Sequence, residues 1–214
     1  MMKKALSLFL AAAMCAGMLT GCGGGADTND ASNGDSGEST AAAFKIGGTG
    51  PLTGDAAIYG NAVYNGAQLA VDEINAEGGV QFELKMEDDE NDPEKAVSAY
   101  NALKDWGVQL SLGSVTSKPA EAAATENFAD RIFALTPSAS APAVTEGKDN
   151  VFQMCFSDPN QGTASAEYIA DNQMGTKIAI IYKNDDVYSS GIYKKFKAEA
   201  ETKGLNIVST TTFT

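Results

Sequence analysis

Residues 82–107, FELKMEDDENDPEKAVSAYNALKDWG, contain a complete strand-then-helix unit, and this unit decides the fold class. Apolar and charged side chains alternate from Phe82 to Glu87, and this period of two predicts a half-buried strand. Asp92 and Pro93 then supply a helix cap and a first helical residue, and an apolar stripe at helical spacing runs as far as Gly107. A strand that passes directly into an amphipathic helix is the repeating unit of α/β proteins.

The same unit recurs on both sides of this stretch. Upstream, a strand is predicted from Phe44, and a long helix ends at Gly78-Gly79. Downstream, strands are predicted at 108–112, 131–135, 177–182 and from 205, and helices at 119–130, 161–173 and 190–203. Residues 152–156 are interpreted as a crossover. This alternation predicts an α/β fold with a doubly wound parallel sheet.

The N-terminal residues predict an export signal. Lys3 and Lys4 precede an apolar run that is too short to span a bilayer, and the run ends at Leu19-Thr20-Gly21-Cys22. This ending resembles the lipobox of bacterial lipoproteins, so we predict a signal peptide over 1–21 and a diacylglycerol on Cys22. The alternative is an ordinary secretory signal with an incidental cysteine. The Gly-, Ser- and Asp-rich residues up to 43 predict a disordered tether.

The composition argues against several classes of function. The chain has no histidine, which excludes histidine-based catalytic triads and the commonest metal ligand. Thr53 stands where a dinucleotide-binding loop needs its third glycine, and Walker A and G-x-S-x-G patterns are missing. The acidic run 87–92 lacks calcium-loop spacing and is interpreted as a strand exit followed by a helix cap. We therefore predict no enzyme activity, no metal and no cofactor.

The net charge limits the kinds of partner that the protein can bind, and the cysteine content limits the disulfides that it can form. Without Lys3 and Lys4, 13 basic residues face 28 acidic ones, a net charge of −15 that argues against binding nucleic acid or an anionic lipid surface. Once Cys15 leaves with the signal and Cys22 carries lipid, Cys155 remains alone in an apolar run. We predict that it is a buried structural thiol.

Four segments carry a likeness to a known family. They are residues 46–54 (IGGTGPLTG), 59–79 (YGNAVYNGAQLAVDEINAEGG), 87–97 (EDDENDPEKAV) and 113–117 (GSVTS). In this order and spacing they resemble the leucine/isoleucine/valine-binding family of type I periplasmic binding proteins. The likeness continues through 136–140 and 160–162 to Tyr188 and covers nearly all of residues 44–214.

The resemblance implies an extracytoplasmic solute-binding protein, anchored to the cell membrane by lipid only. Such a protein is a monomer that binds a branched-chain or similar apolar amino acid between two lobes and delivers it to the permease subunits of an ABC transporter. Residues 44–157 would form the first lobe and 158–214 would begin the second. An acidic residue and an aromatic partner of Tyr188 are expected beyond Thr214. Some relatives join the positions of Asn91 and Thr116 by a disulfide, and neither residue is cysteine here.

Two Ser/Thr-rich loops, 114–117 and 136–140, follow predicted strands and so belong at the ligand-binding edge of a parallel sheet. Ser117 lies near the start of a helix, where backbone N–H groups and the helix dipole favour an anion. By resemblance, the hydroxyls of Ser117 and Ser140 hold the ligand carboxylate and the carbonyl of Ser138 accepts from its ammonium. By resemblance also, Tyr59 lines the side-chain pocket and Tyr188 closes over the ligand.

Four of these five assignments have a plainer alternative. Ser117 could serve as a helix N-cap, Ser138 and Ser140 could make only turn hydrogen bonds, and Tyr59 could be an ordinary surface aromatic. The ligand could instead be a short amide, urea or an aromatic acid. A ligand-sensing receptor domain can also use this fold.

Overall fold

The computed structural model describes residues 42–214, in which seven β-strands alternate with five α-helices. The signal peptide, Cys22 and the tether up to residue 41 lie outside the described residues. The strands are β1 Phe44–Gly50, β2 Phe82–Asp88, β3 Leu110–Ser114, β4 Ala134–Thr136, β5 Val151–Gln153, β6 Lys177–Lys183 and β7 Asn206–Phe213. The helices are α1 Ala57–Glu77, α2 Pro93–Trp106, α3 Ser117–Ala129, α4 Asp158–Asp171 and α5 Val187–Thr202, with a 3-10 turn at Pro142–Val144.

The strands form two parallel sheets. The first has the order β2-β1-β3-β4-β5 and the second pairs β6 with β7. The predicted α/β class with a parallel sheet is therefore confirmed. Residues 152–156 were wrongly predicted to be only a crossover, because Val151–Gln153 pairs with β4 as an edge strand. Parallel strands place all their carboxyl ends at one edge of each sheet, and the loops that follow them meet there.

β3 begins two residues later and β4 three residues later than the hydrophobic pattern predicts, and both differences have the same physical reason. Both preceding helices end in a Schellman turn, which uses the next residues to satisfy the last helical carbonyls. After α2, Gly107 N–H donates to Lys104 O and Val108 N–H donates to Leu103 O. After α3, Arg131 adopts a φ of 59°, and Ile132 N–H donates to Asn127 O. The apolar residues of these turns therefore lie before the strands.

A close approach between backbones fixes α1 on the first sheet. Gly60 is buried in the first turns of this helix, and a Cβ added to it would lie 2.0 Å from the carbonyl oxygen of Pro51. Only a glycine permits this contact between the helix and the loop that follows β1. The contact holds the start of α1, and with it Tyr59, over the carboxyl ends of the strands.

Polar contacts and small side chains join the helices to each other and to the sheet. Tyr100 donates to Asp130 Oδ2 at 3.0 Å, and Lys104 pairs with the same carboxylate at 2.7 Å, so α2 and α3 are linked. Beneath α3 the buried cluster consists largely of alanines, which lets the helix lie close to β4 and β5.

None of the helices in residues 42–214 is long and apolar enough to cross a membrane.

Candidate functional site

All five predicted ligand-binding residues line one cavity of about 620 Å³. Ser117 is the first residue of α3, and Ser138 and Ser140 lie in the loop after β4. Tyr59 is in the first turn of α1, and Tyr188 is in the first turn of α5. The cavity therefore lies at the carboxyl edges of both sheets, and its volume is typical of small-molecule sites.

Ser117 is buried, and its hydroxyl is committed to the neighbouring loop. Its Oγ accepts the backbone N–H groups of Ser140 and Ala141, both at 3.2 Å. The N-cap residue of α3 is Thr116, whose side chain makes no capping hydrogen bond. Ser117 is therefore not the cap of its own helix. Its Oγ instead joins the start of α3 to the loop after β4.

Ser140 is also buried and makes two hydrogen bonds to Asp158, the first residue of α4. Its Oγ donates to Asp158 Oδ1 at 2.6 Å, and its carbonyl accepts from Asp158 N–H at 3.0 Å. The side chain thus bonds to a residue 18 positions along the chain, so the alternative of a purely local turn hydrogen bond does not describe it. These contacts connect the loop after β4 to the helix that precedes the second sheet.

The carbonyl oxygen of Ser138 accepts a weak hydrogen bond from Cys155 Sγ at 3.2 Å. Cys155 is only half-buried and lies in the cavity wall, so the prediction of a buried thiol is wrong. The apolar run around it belongs to an edge strand and the segment that follows, and this leaves Met154 and Phe156 exposed. Partial burial raises the pKa of the Cys155 thiol, which keeps it in the neutral form.

Both tyrosines are exposed to solvent, Tyr59 to 61% and Tyr188 to 39%. The Tyr188 hydroxyl donates to Gln161 Oε1 at 3.3 Å. Tyr188 lies within α5, which begins three residues before the helix predicted from residue 190, because Asp186 caps α5 by accepting from Ser189 N–H at 2.8 Å. Exposed aromatic surface at the mouth of a cavity is available to contact a ligand.

The cavity also includes residues that the sequence analysis did not select. Lys183 ends β6, Asp186 caps α5, and Phe213 ends β7, and all three line the same cavity as Ser117. The rule that selected the loops after β3 and β4 applies equally to the loops after β6 and β7. Applied there, it would have selected Lys183 and Asp186 as well as Tyr188.

The acidic run 87–92 is a strand exit and a helix cap, as predicted. Asp92 accepts from the N–H groups of Glu94 and Lys95 at the start of α2. Within residues 42–214 no cluster of three or more potential metal ligands occurs. At the two positions for which the resemblance implies a disulfide in some relatives, the Thr116 hydroxyl donates to Asn91 Oδ1 at 2.8 Å.

Two adjacent carboxylates at the end of β2, those of Asp88 and Asp89, have pKa values shifted in opposite directions. Burial raises the pKa of Asp89 to about 6, against the lowering effect of the Asn91 N–H and the nearby Ser114 hydroxyl. The Ser114 hydroxyl is hydrogen-bonded to Thr49 Oγ1, and Asp89 Oδ2 is buried with no hydrogen-bond partner. For Asp88, burial would also raise the pKa. Hydrogen bonds from the Thr53 side chain and three backbone N–H groups outweigh it, and the net shift is downward.

The two carboxylates should therefore affect stability in opposite ways. A raised pKa in the folded state means that the stability due to Asp89 falls as pH rises from about 4 to 6 and stays low above that. We expect Asp89→Asn to match the wild type near pH 4 and to be about 2 kcal/mol more stable at pH 7. Asp88→Asn should be less stable than the wild type at pH 7, because it loses an ionised acceptor.

Urea denaturation across this pH range measures both effects. Equal stability changes for the two variants at pH 7 would contradict the assignment of opposite environments.

Known proteins share the sequence pattern and the fold of this chain. The sequence profile of a family described as periplasmic binding protein matches residues 43–214. The Leu/Ile/Val-binding protein BraC3 of Rhizobium johnstonii is 36% identical over 167 residues, which are 76% of this chain and 45% of that protein.

Two solved structures have the same fold. One is the branched-chain amino acid transporter substrate binding protein LivJ from Streptococcus pneumoniae in complex with isoleucine. Its TM-score is 0.74 at 32% identity, over 80% of this chain and 50% of that one. The other is an ABC transporter solute binding protein from Rhodopseudomonas palustris BisB5 in complex with 3,4-dihydroxybenzoic acid. Its TM-score is 0.72 at 21% identity, over 79% and 47% of the two chains. The chain spans about half the length of these relatives.

Proposed function

Because this chain belongs to the periplasmic binding protein family, we propose that it captures an amino acid with an apolar, branched side chain and delivers it to an ABC transporter permease. The observation that carries this proposal is the cavity at the carboxyl edges of both sheets. It collects Ser117, Ser138 and Ser140 on one side and Tyr188 on the other. An amino acid of this kind has an anionic carboxylate, a cationic ammonium group and an apolar side chain, and the cavity offers partners for all three.

The polar side of the cavity suits the charged end of such a ligand. The start of α3, at Ser117, provides unpaired backbone N–H groups and the positive end of a helix dipole for a carboxylate. The Ser138 carbonyl has only a weak thiol donor, so an ammonium group can bond to it more strongly. Tyr59 and Tyr188 provide aromatic surface for the side chain.

The proposed cycle contains no chemical step. Ligand would bind in the cleft between the lobes 44–157 and 158–214 and be enclosed by closure of one lobe on the other. Release to the permease subunits would follow reopening. The protein would act as a monomer, without cofactor or metal, and outside the cytoplasm.

A lipid on Cys22 would hold the protein at the membrane surface, since residues 19–22 match the lipobox pattern. We expect mass spectrometry of the exported protein to show a diacylglyceryl group on Cys22 as the mature N-terminus. A Cys22→Ala protein should then be released from the membrane fraction. Cleavage at another residue, or a Cys22→Ala protein that stays bound, would contradict lipidation.

A ligand panel tests the proposed function. Calorimetry on the complete gene product should show binding of leucine, isoleucine or valine, and no comparable binding of 3,4-dihydroxybenzoate or a short neutral amide. A protein that shares the fold does bind 3,4-dihydroxybenzoic acid, so the fold alone does not determine the ligand. Preferential binding of the aromatic acid or the amide would replace the amino-acid proposal with that ligand class.

A further inference from the structure

Asp158 is a buried carboxylate at the junction of the two proposed lobes, and the proposed function gives it no role. It is the first residue of α4 and is 1% exposed. Oδ1 accepts from Ser140 Oγ at 2.6 Å, whereas Oδ2 is buried with no hydrogen-bond partner. Helix α5 lies directly against this second oxygen, because a Cβ added to Gly191 would lie 3.0 Å from it. An ionised carboxylate with an unpaired buried oxygen is costly.

The start of α5 also contacts the first lobe, and carboxylates surround this contact. Val187, the first residue of α5, packs against the alanine-rich cluster beneath α3. Asp186 precedes Val187 in the chain, and Glu121 lies on α3 next to Ala120, a member of that cluster. Contact between the lobes therefore brings negative charges together. Glu121 belongs to the first lobe, and Asp158 and Asp186 belong to the second.

The surroundings of Asp158 oppose its ionisation. Burial raises the pKa of Asp158, the hydrogen bond from Ser140 lowers it, and the charge of Asp186 raises it further. The Cys155 thiol is a third neighbour, and its own pKa is raised by burial and by the charge of Asp158. None of these three neighbours supplies a positive charge.

Glu121 is the carboxylate that faces Asp158 from the first lobe. Burial raises the pKa of Glu121, the charge of Lys148 lowers it, and the charge of Asp158 raises it. Lys148 is only a partial counter-charge, because its Nζ donates to Ala143 O at 2.7 Å. Lys183 lines the cavity, and its Nζ lies 3.8 Å from the carboxylate of Asp185. The negative charges at the junction are therefore incompletely balanced.

We propose that Glu121, Asp158 and Asp186 make ligand capture sensitive to pH, because the lobes close most readily when these carboxylates have taken up a proton. At neutral pH their mutual repulsion favours separated lobes. Acidification removes part of the charge and strengthens the contact between α5 and α3. The inference rests on the proposed function and adds a regulatory property to it. Closure on a ligand then takes up protons, and by linkage the affinity rises as the pH falls.

Calorimetry with leucine on the complete gene product tests the inference. Leucine stays a zwitterion between about pH 5 and about pH 7, so a change of affinity in this range comes from the protein. We expect binding at about pH 5 to be at least about threefold tighter than at about pH 7. Titrations in buffers with different ionisation enthalpies should show a net uptake of protons on binding.

Glu121→Gln removes one of the three charges from a residue that does not line the cavity. It should bind leucine at least about twofold more tightly than the wild type at about pH 7 and take up fewer protons. Glu126→Gln is the matched control on the same helix, because the charge of Glu126 acts on Tyr100 and Lys104 of α2. It should leave the affinity and the proton uptake as in the wild type.

Asp89 is a competing source of pH dependence, since burial raises its pKa to about 6. It follows β2 within the first lobe, away from the contact between α5 and α3. Asp89→Asn should therefore retain the pH dependence of leucine binding. If Asp89→Asn abolishes this dependence and Glu121→Gln preserves it, the inference is overturned.

The remaining outcomes separate this inference from the proposed function. Leucine binding that is independent of pH, or that weakens on acidification, overturns the inference and leaves the proposed function intact. If the wild type binds no amino acid, the proposed function fails, and small-angle X-ray scattering of the ligand-free protein decides the inference. Compaction of the wild type at about pH 5, already present in Glu121→Gln at about pH 7, supports it. A radius of gyration that does not depend on pH overturns it.

Discussion

Gly60→Ala is expected to lower the free energy of unfolding by about 3 kcal/mol or more, because its methyl group would lie 2.0 Å from Pro51 O. The atom in the way belongs to the backbone, so relief requires α1 to move off the loop after β1. Gly66→Ala is a matched control in the same helix, where an added Cβ meets nothing within 4 Å. It should raise stability by roughly 0.5–1 kcal/mol, the usual gain from replacing a glycine inside a helix.

Urea denaturation measures both changes, with the fluorescence of Trp106, the only tryptophan, as one probe. The two substitutions are chemically identical and lie six positions apart, so helix propensity alone predicts the same sign for both. Similar effects would show that α1 does not pack on Pro51 as the structure describes.

Removing the carboxylate of the ligand should have a larger effect on binding than any single side-chain change. Leucine amide is expected to bind at least about 100-fold more weakly than leucine, since it loses the anion that the start of α3 and Ser117 face. Ser117→Ala removes one charge-assisted hydrogen bond and should weaken leucine binding by about one to two orders of magnitude.

Ser98→Ala is the control for the serine substitution. Ser98 is exposed on α2, where its hydroxyl donates to Glu94 O, and it does not line the cavity. Ser117→Ala also removes the acceptor of two buried N–H groups, so its stability has to be measured alongside its affinity. A loss of stability with an unchanged leucine affinity would restrict Ser117 to a structural role. Equal binding of leucine and leucine amide would favour an amide ligand.

The order of strands and helices could be predicted from the sequence because each element carries its own periodicity, caps and glycines. The errors lie where a residue's role depends on a neighbouring element. Arg131 looks like the start of a strand, yet it completes the end of α3 in a conformation that usually requires glycine. Val151–Gln153 is too short to show a period, and only its pairing with β4 makes it a strand.

The location of the site residues could be predicted from the sequence, but the hydrogen bonds between them could not. The loops after β3 and β4 are rich in hydroxyls, and the topology of a parallel sheet brings such loops together. The link between Ser140 and Asp158 has no local signal, because it depends on how the segment after β5 returns to the loop after β4. Cys155 was wrongly predicted to be buried, since an apolar run on an edge strand has the same composition as one in a core.

The hydrogen bond between Thr116 and Asn91 makes this part of the site independent of redox conditions. The two loops that meet there are joined without sulfur chemistry, and Cys155 is the one cysteine in residues 42–214. This part of the chain therefore reaches its folded state without an oxidation step or a disulfide isomerase. Production in a reducing cytoplasm should yield the same loop geometry as export, and dithiothreitol should leave its melting temperature unchanged.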